Sequence, residues 1–379
     1  MSAAVEADGA LGLFHGLAAI ASPSRHERAV ADHCLAYLRA HGIPAHEEAP
    51  PKAGDEAGNI VCRIPATAGE SGTPILLCAH IDTVQPTTGI EPVVADGVVT
   101  NRLDTILGGD NKAAVAAMLE GTRRIVAEGR PHAGIELILS VQEETGLQGV
   151  KALDCSQLAA RIGYVYDHAA PIGVLATTCP SQYSIDATFS GRSAHAGIAP
   201  QDGRNAIAAA AHALAELRFG RLDEETTANV GTIEGGVARN IVPDRCDVRL
   251  EVRSLSHERA LKECQLMLDA LAHAANVAEC ELATTATQEY RAYKLRRTDP
   301  VVQVAWAALE AHGFTPSLNA TGGGADSHLF NERGIPCVNI ANGMELIHTP
   351  DERIAVADIE AMVAVTLSLV EGARTLAVA

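Results

Sequence analysis

The feature that most constrains this 379-residue chain is a change of texture along its length. Up to about Cys179, short wholly apolar runs alternate with helix-periodic stretches. Glu27 to Leu38 reads as a helix, Ile75 to Cys78 as a buried strand, Asn111 to Glu128 as an Ala-rich helix and Ile135 to Val141 as a second buried strand. Strands apolar on both faces are covered on both sides, so this alternation predicts an α/β sheet flanked by helices. From Gln182 to Gly191 the apolar positions instead alternate with period two. An Ala-rich helix follows over Gly203 to Leu217, Cys246 to Ser254 alternates again, and Glu258 to Ala274 is amphipathic. Strand, helix, strand, strand, helix, strand predicts a small α+β unit whose sheet keeps one face open. The α/β texture resumes with a helix over Pro300 to His312 and a strand over Cys337 to Ala341. The compact unit is therefore expected as an insertion, residues 180–289, in a larger domain made of 1–179 and 290–379.

Charge and cysteine usage exclude several classes. The formal net charge of −18, from 29 basic and 47 acidic residues, argues against a nucleic-acid partner. The N-terminal "MSAAVEADGALGLFHGL" carries acidic residues where a secretory signal would be basic, and no later run is long and apolar enough to span a bilayer. No membrane partner and a cytoplasmic location are expected. The nine cysteines are scattered singly, with no C-x-x-C pair, and read as reduced, mostly buried small hydrophobes.

In open α/β sheets reactive groups gather at the carboxyl ends of the strands. In "LLCAHIDTV", His80 and Asp82 share one face of an extended chain, so the carboxylate can hold one imidazole nitrogen while the other faces a ligand or a proton. A satisfied histidine at a capped strand end is the plain alternative. Asp110 in "LGGDNKAAV" precedes a helix and could be an N-cap. Glu143 and Glu144 in "SVQEETGLQG" form either a solvated turn or a pair that needs positive charge nearby. Asp167 in "YVYDHAAPIG" and His348 in "MELIHTPDE" occupy similar positions. Two histidines and three carboxylates make a ligand set suited to zinc and open to manganese or cobalt, and one bridging carboxylate allows a binuclear site.

Taken in order, "AHIDTV", "LGGDNK", "QEETGLQG", "YDHAAPIG", "SAHAG", "ARNIVPDRC" and "GGGADSHLFNERGIP" followed by "IHTPDE" resemble the co-catalytic zinc exopeptidases and amidohydrolases. That family includes peptidase T, glutamate carboxypeptidase, acetylornithine deacetylase and aminoacylase, and "LGGDNKAAV" with Asp167 resembles the peptidase T branch. The resemblance implies a zinc-exopeptidase catalytic domain with a mixed central sheet and an inserted lid and dimerisation domain. It implies two divalent metal ions per subunit, zinc first and manganese or cobalt as alternatives. His80 and Asp167 would hold one ion, Glu144 and His348 the other, and Asp110 would bridge them, with a cis peptide following it. Asp82 would brace His80, and Glu143 would be the general base. His195 would stabilise the oxyanion from across a homodimer interface. Asn240 and Arg253 would grip a substrate carboxylate, helped by backbone N–H groups of the glycine run around Gly323.

Two departures stand out: Asn111 occupies a position where the branch commonly has a second acid, and no residue for a free substrate amine is evident. His168 and His328 receive no role. The expected activity is hydrolysis of an amide bond in a small peptide, with a tripeptidase-like aminopeptidase ahead of an N-acyl amino acid deacylase or a glutamate carboxypeptidase-like enzyme. A catalytically silent metal-binding module is the alternative from a different class. No G-x-S-x-G elbow supports a serine hydrolase.

Overall fold

The computed structural model describes residues 9–87 and 89–376, so the first eight residues of the acidic N-terminal stretch lie outside it. The chain divides into two compact units. The first comprises Met1–Thr177, Lys294–Ala320 and Ala325–Ala379; the second comprises Thr178–Tyr293 and Thr321–Gly324.

The first unit is built on a mixed sheet. Its strand order runs Ala45–Glu47, Ile60–Ile64, Ile135–Ser140, Ile75–His80, Ile162–His168, Cys337–Ala341, Val174–Cys179, and then the short Tyr293–Lys294, with Ser317–Ala320 pairing alongside Val174–Cys179. The four strands at its centre run parallel, with His80 opposite Ser140 and Cys337–Ala341 beside Ile162–His168. Their carboxyl ends therefore open on one edge, which is where the sequence concentrates histidines and acids. Every residue of Ile75–His80 and Ile135–Ser140 is buried, which explains their unbroken apolar runs.

The helix Gly109–Ala127 is buried on almost every side. Small residues make this possible: Ala113, Ala114, Ala116 and Ala117 let neighbours close in, and a side chain at Gly121 would press on Thr366 of the helix Val356–Thr375 at 3.0 Å. Phe14, Leu17, Leu77, Leu119, Tyr164 and Met362 belong to the same core. Each fully buried apolar side chain of this size contributes roughly 1.5–3 kcal/mol.

In the second unit five antiparallel strands run in the order Gly220–Arg221, Thr226–Gly235, Arg245–Ser254, Ser181–Ser190, Glu281–Tyr290. Tyr183, Ile185, Ala187 and Phe189 alternate onto a face covered by the helices Ala206–Glu216 and His257–Val277. The opposite face carries polar pairs such as Thr188 with Asp247 and Arg249 with Asp186. The period-two texture follows from that one-sided burial.

Candidate active site

Six of the expected residues converge at the carboxyl edge of the first unit's sheet. His80 ends its strand, Glu143 and Glu144 follow the strand Ile135–Ser140, Asp167 lies near the end of Ile162–His168, Asp110 begins the buried helix, and His348 follows Cys337–Ala341. They fall into three mutually close groups: His80, Asp110 and Asp167; His80, Glu143 and Glu144; Asp110, Glu144 and His348. Asp110 has one oxygen in each metal-type cluster. Its Oδ1 lies 3.3 Å from His80 Nε2 and its Oδ2 lies 3.2 Å from His348 Nε2. His80 Nε2 is also 3.7 Å from Asp167 Oδ1, and His348 Nε2 is 3.0 Å from Glu144 Oε1.

The chain enters the helix through Asp110 and Asn111 with non-helical dihedrals, and the peptide between them is cis, as the resemblance implied. Glu352, which sequence reasoning passed over, holds this turn. Its carboxylate accepts the N–H groups of Leu107, Gly108 and Asp110 at 2.7–2.9 Å. Asn339 was missed too: its amide accepts from the Asp167 N–H at 2.9 Å and donates to the Asp167 carbonyl at 2.8 Å. A lone polar residue inside the apolar "CVNIA" was the available signal, since buried amides need partners. Gly149 closes "QEETGLQG" because a side chain there would meet the Val141 carbonyl oxygen at 2.3 Å.

Asp82 meets His80 through its backbone rather than through the expected carboxylate brace. Its backbone carbonyl receives His80 Nδ1 at 2.9 Å, whereas its carboxylate lies 3.4 Å from that nitrogen. The carboxylate instead accepts the N–H of Glu143 at 3.0 Å and of Glu144 at 3.2 Å. A carbonyl can only accept, so Nδ1 carries a proton, and whenever the ring is neutral its Nε2 presents a lone pair to Asp110.

That arrangement tests the site for metal. His80 Nε2 and Asp110 Oδ1 are buried and make no hydrogen bond, although they face each other across 3.3 Å. Two unpartnered buried acceptors are unfavourable unless a cation or a proton lies between them. Imidazole and carboxylate donors fit a divalent cation such as zinc, and the two-sided engagement of Asp110 fits a second.

The electrostatics agree. Burial lowers the His80 pKa, yet the nearby carboxylates of Asp110, Asp167 and Asp82 outweigh it and raise it well above the usual histidine value. Asp110 and Glu144 push His348 up to about 10. Burial, with the charge of Asp167, drives Glu143 well above the usual carboxylate range. Burial also raises Asp167, to about 7, against the pull of His80. The carboxylate-rich pocket therefore has a high affinity for positive charge.

The other expected residues lie in the second unit. His195 is exposed and bridges to Ile241, and the Ala196 N–H donates to the Asn240 carbonyl, so His195 and Asn240 sit on paired segments. Gly197 N–H donates to His195 Nδ1 at 3.2 Å, which leaves Nε2 as the donor in the neutral ring. Arg253 is engaged by Glu251 at 3.1–3.2 Å and donates to the Gly322 carbonyl at 3.1 Å. Gly323 N–H donates to Thr321 Oγ1. In the first unit, His328 is buried, and its Nδ1 contacts the Ala325 backbone.

A parallel-centred α/β domain with a histidine and carboxylate cluster at its strand ends, interrupted by an antiparallel α+β unit, defines a co-catalytic metallopeptidase. Residues 182–279 match the family described as Peptidase dimerisation domain, and residues 59–168 match Peptidase family M28. The aminopeptidase PepT of Bacillus cereus is 36% identical in structural alignment, with a TM-score of 0.85, covering 96% of this chain and 98% of that one. A tripeptidase of Staphylococcus aureus is 32% identical with a TM-score of 0.89 over the same shares. The uncharacterized protein YqjE of Bacillus subtilis is 37% identical over 324 residues, 84% of this chain and 86% of that protein. The chain belongs to the M20/M28 co-catalytic metallopeptidase family, in its peptidase T-like branch.

Proposed function

We propose that the protein is a tripeptidase-like aminopeptidase that removes the N-terminal residue of short peptides with two divalent cations, zinc by preference. The observation that carries the reading is Asp110, whose two oxygens belong to two separate histidine and carboxylate groups. The substrate class rests on the likeness, over nearly the whole chain, to an aminopeptidase and a tripeptidase.

His80 and Asp167 would hold one cation, Glu144 and His348 the other, and Asp110 would serve both. When bound, such a pair supplies Lewis acidity for the scissile carbonyl and for water. Glu143 takes the proton of the attacking water and returns it to the departing amine. Its buried place beside His80 and Glu144 supports this role. Asp82 fixes the backbone of both glutamates by accepting both of their N–H groups. His195 Nε2–H donates to the carbonyl oxygen as charge develops there, acting on the partner subunit's site in a homodimer. Asn240, Arg253 and the Gly323 segment receive the peptide carboxylate.

The inserted unit, read from sequence as 180–289, would serve as the lid and dimerisation domain, and 1–179 with 290–379 as the catalytic domain, save that Thr321–Gly324 group with the inserted unit. No helix among the described residues is long and apolar enough to cross a membrane. None of the nine cysteines forms a disulfide and seven are buried, which supports a reducing cytoplasmic setting.

The test is metal-stripped protein titrated with zinc, manganese or cobalt against free tripeptides, dipeptides and N-acetyl amino acids. Tripeptide cleavage restored at about two metals per chain is the expected result. Consumption of only the acyl substrates would move the protein to the deacylases, and metal uptake without turnover would leave a binding module.

A further inference from the structure

The segment Ser22–Glu27 lies between the helices Ala10–Ala18 and Arg28–Ala40 and is remote in sequence from the cleft. Its polar groups nonetheless converge on the ends of the two strands that lead to His80 and to the glutamate pair. Ser22 Oγ donates to the Ile81 carbonyl at 2.9 Å, and the Thr83 N–H donates to the Ser22 carbonyl at 3.0 Å. Ser24 Oγ donates at 2.6 Å to Asp82 Oδ2, part of the carboxylate that receives the Glu143 and Glu144 amides. Glu27 is fully buried, and its Oε1 accepts from the N–H groups of Arg25 at 2.8 Å and of Gln142 at 3.2 Å. Asp55 takes Arg25 Nε at 2.8 Å with one oxygen and Gln142 Nε2 at 3.0 Å with the other.

Gln142 is thus held at both its backbone and its side chain. It needs to be, because it directly precedes Glu143 and has φ 53°, a left-handed conformation that a non-glycine residue keeps only when its surroundings enforce it. Burying a carboxylate whose second oxygen, Glu27 Oε2, has no hydrogen-bond partner is costly as plain cement. The cost is intelligible if what the carboxylate fixes is the direction of a reacting group.

We propose that Ser22–Glu27 is a strap that aims the Glu143 and Glu144 carboxylates, with Glu27 and Ser24 as positioning residues acting through Gln142 and Asp82. The proposal rests on Glu143 being the base and Glu144 a metal ligand.

The test compares full-length wild type with Glu27→Ala, Glu27→Gln and Ser24→Ala. It reads the visible spectrum and affinity of added cobalt as well as kcat and KM on a tripeptide. Glu27→Ala is expected to lower kcat by about 10- to 100-fold with KM within about twofold, because a small misplacement of reacting groups is that damaging. It is also expected to alter the cobalt spectrum and weaken cobalt binding by about tenfold. Glu27→Gln keeps a carbonyl acceptor for both amides and should recover most of each loss. Wild-type kcat and spectrum in Glu27→Ala would overturn the strap, as would a glutamine variant no better than alanine. Should Glu27→Ala not fold, Ser24→Ala decides: a fall in kcat at unchanged KM supports the strap, and wild-type behaviour removes it. If wild type turns over neither peptides nor acyl substrates, the peptidase reading fails, and the cobalt spectra alone judge the strap by the same comparison.

Discussion

At the scale of the residue, two adjacent glutamates meet different surroundings. Both amides are gripped by Asp82, but only Glu144 reaches His348, whereas Glu143 is buried beside His80. Glu143→Ala should therefore retain metal while kcat falls by roughly 10² to 10⁴. Elemental analysis of the variant and its tripeptide kinetics check this, and near-normal turnover would remove Glu143 as base. The histidines make a second prediction. Contact with Asp110 and Glu144 lifts His348 to about 10, and the three aspartates around His80 raise it in spite of burial, so both bind protons more tightly than a free imidazole in the metal-free chain. Metal must displace those protons, so affinity rises with pH. Calorimetry in buffers of different ionisation enthalpy should show about one to two protons released per chain on loading with zinc. A release of none would contradict the assigned ligands.

At the scale of the element, the site is made by loops at strand ends, and these were only partly legible. The strand Ile75–His80 runs two residues past the apolar stretch read from sequence because His80 still pairs with Ser140. Asp110 read as a helix N-cap or a ligand, and it has neither a helical conformation nor a capping bond. Local patterns carried the strands and the helices, since burial imposes its periodicity on neighbouring residues. They could not carry the residues that hold the loops: Glu352 acts on amides more than 240 positions away, Asn339 on Asp167 across 172, and Glu27 on Gln142 across 115. Removing such a support should loosen the ligand it fixes. Glu352→Ala is expected to weaken metal binding by about 10- to 100-fold by freeing the Leu107–Asp110 turn, measured by competition with a chelator. Unchanged affinity would mean that the turn holds itself. The buried helix also carries an acid-labile contact. Burial opposes ionisation of Glu120, but Arg123, Arg124 and the Tyr37 hydroxyl outweigh it and lower its pKa to about 2. A depressed carboxylate stabilises the fold above its unfolded pKa and loses that contribution as pH falls through the folded value. Acid unfolding of wild type between about pH 4.5 and 2 should be steeper than that of Glu120→Gln, read by circular dichroism.

At the scale of the whole molecule the question is whether one chain suffices for one site. The match to a peptidase dimerisation domain lies in the second unit, which also holds His195. Its Nδ1 is already committed to the Gly197 N–H, so the ring offers Nε2–H outward from an exposed loop. If that donor serves the other subunit, Glu143→Ala and His195→Ala damage complementary halves of a site. Each pure variant should be nearly inactive, the histidine variant losing roughly 10² to 10³ in kcat as expected for one oxyanion donor. Subunits exchanged between the two at equal amounts would form mixed dimers for about half of the population. In each mixed dimer one site combines an intact Glu143 with the partner's His195, and the other site lacks both. Turnover should then return to about a quarter of the wild-type value, and dilution below the dimer dissociation range should abolish it. A histidine acting within its own chain gives a different result: every site in the mixture lacks one group or the other, and exchange restores nothing.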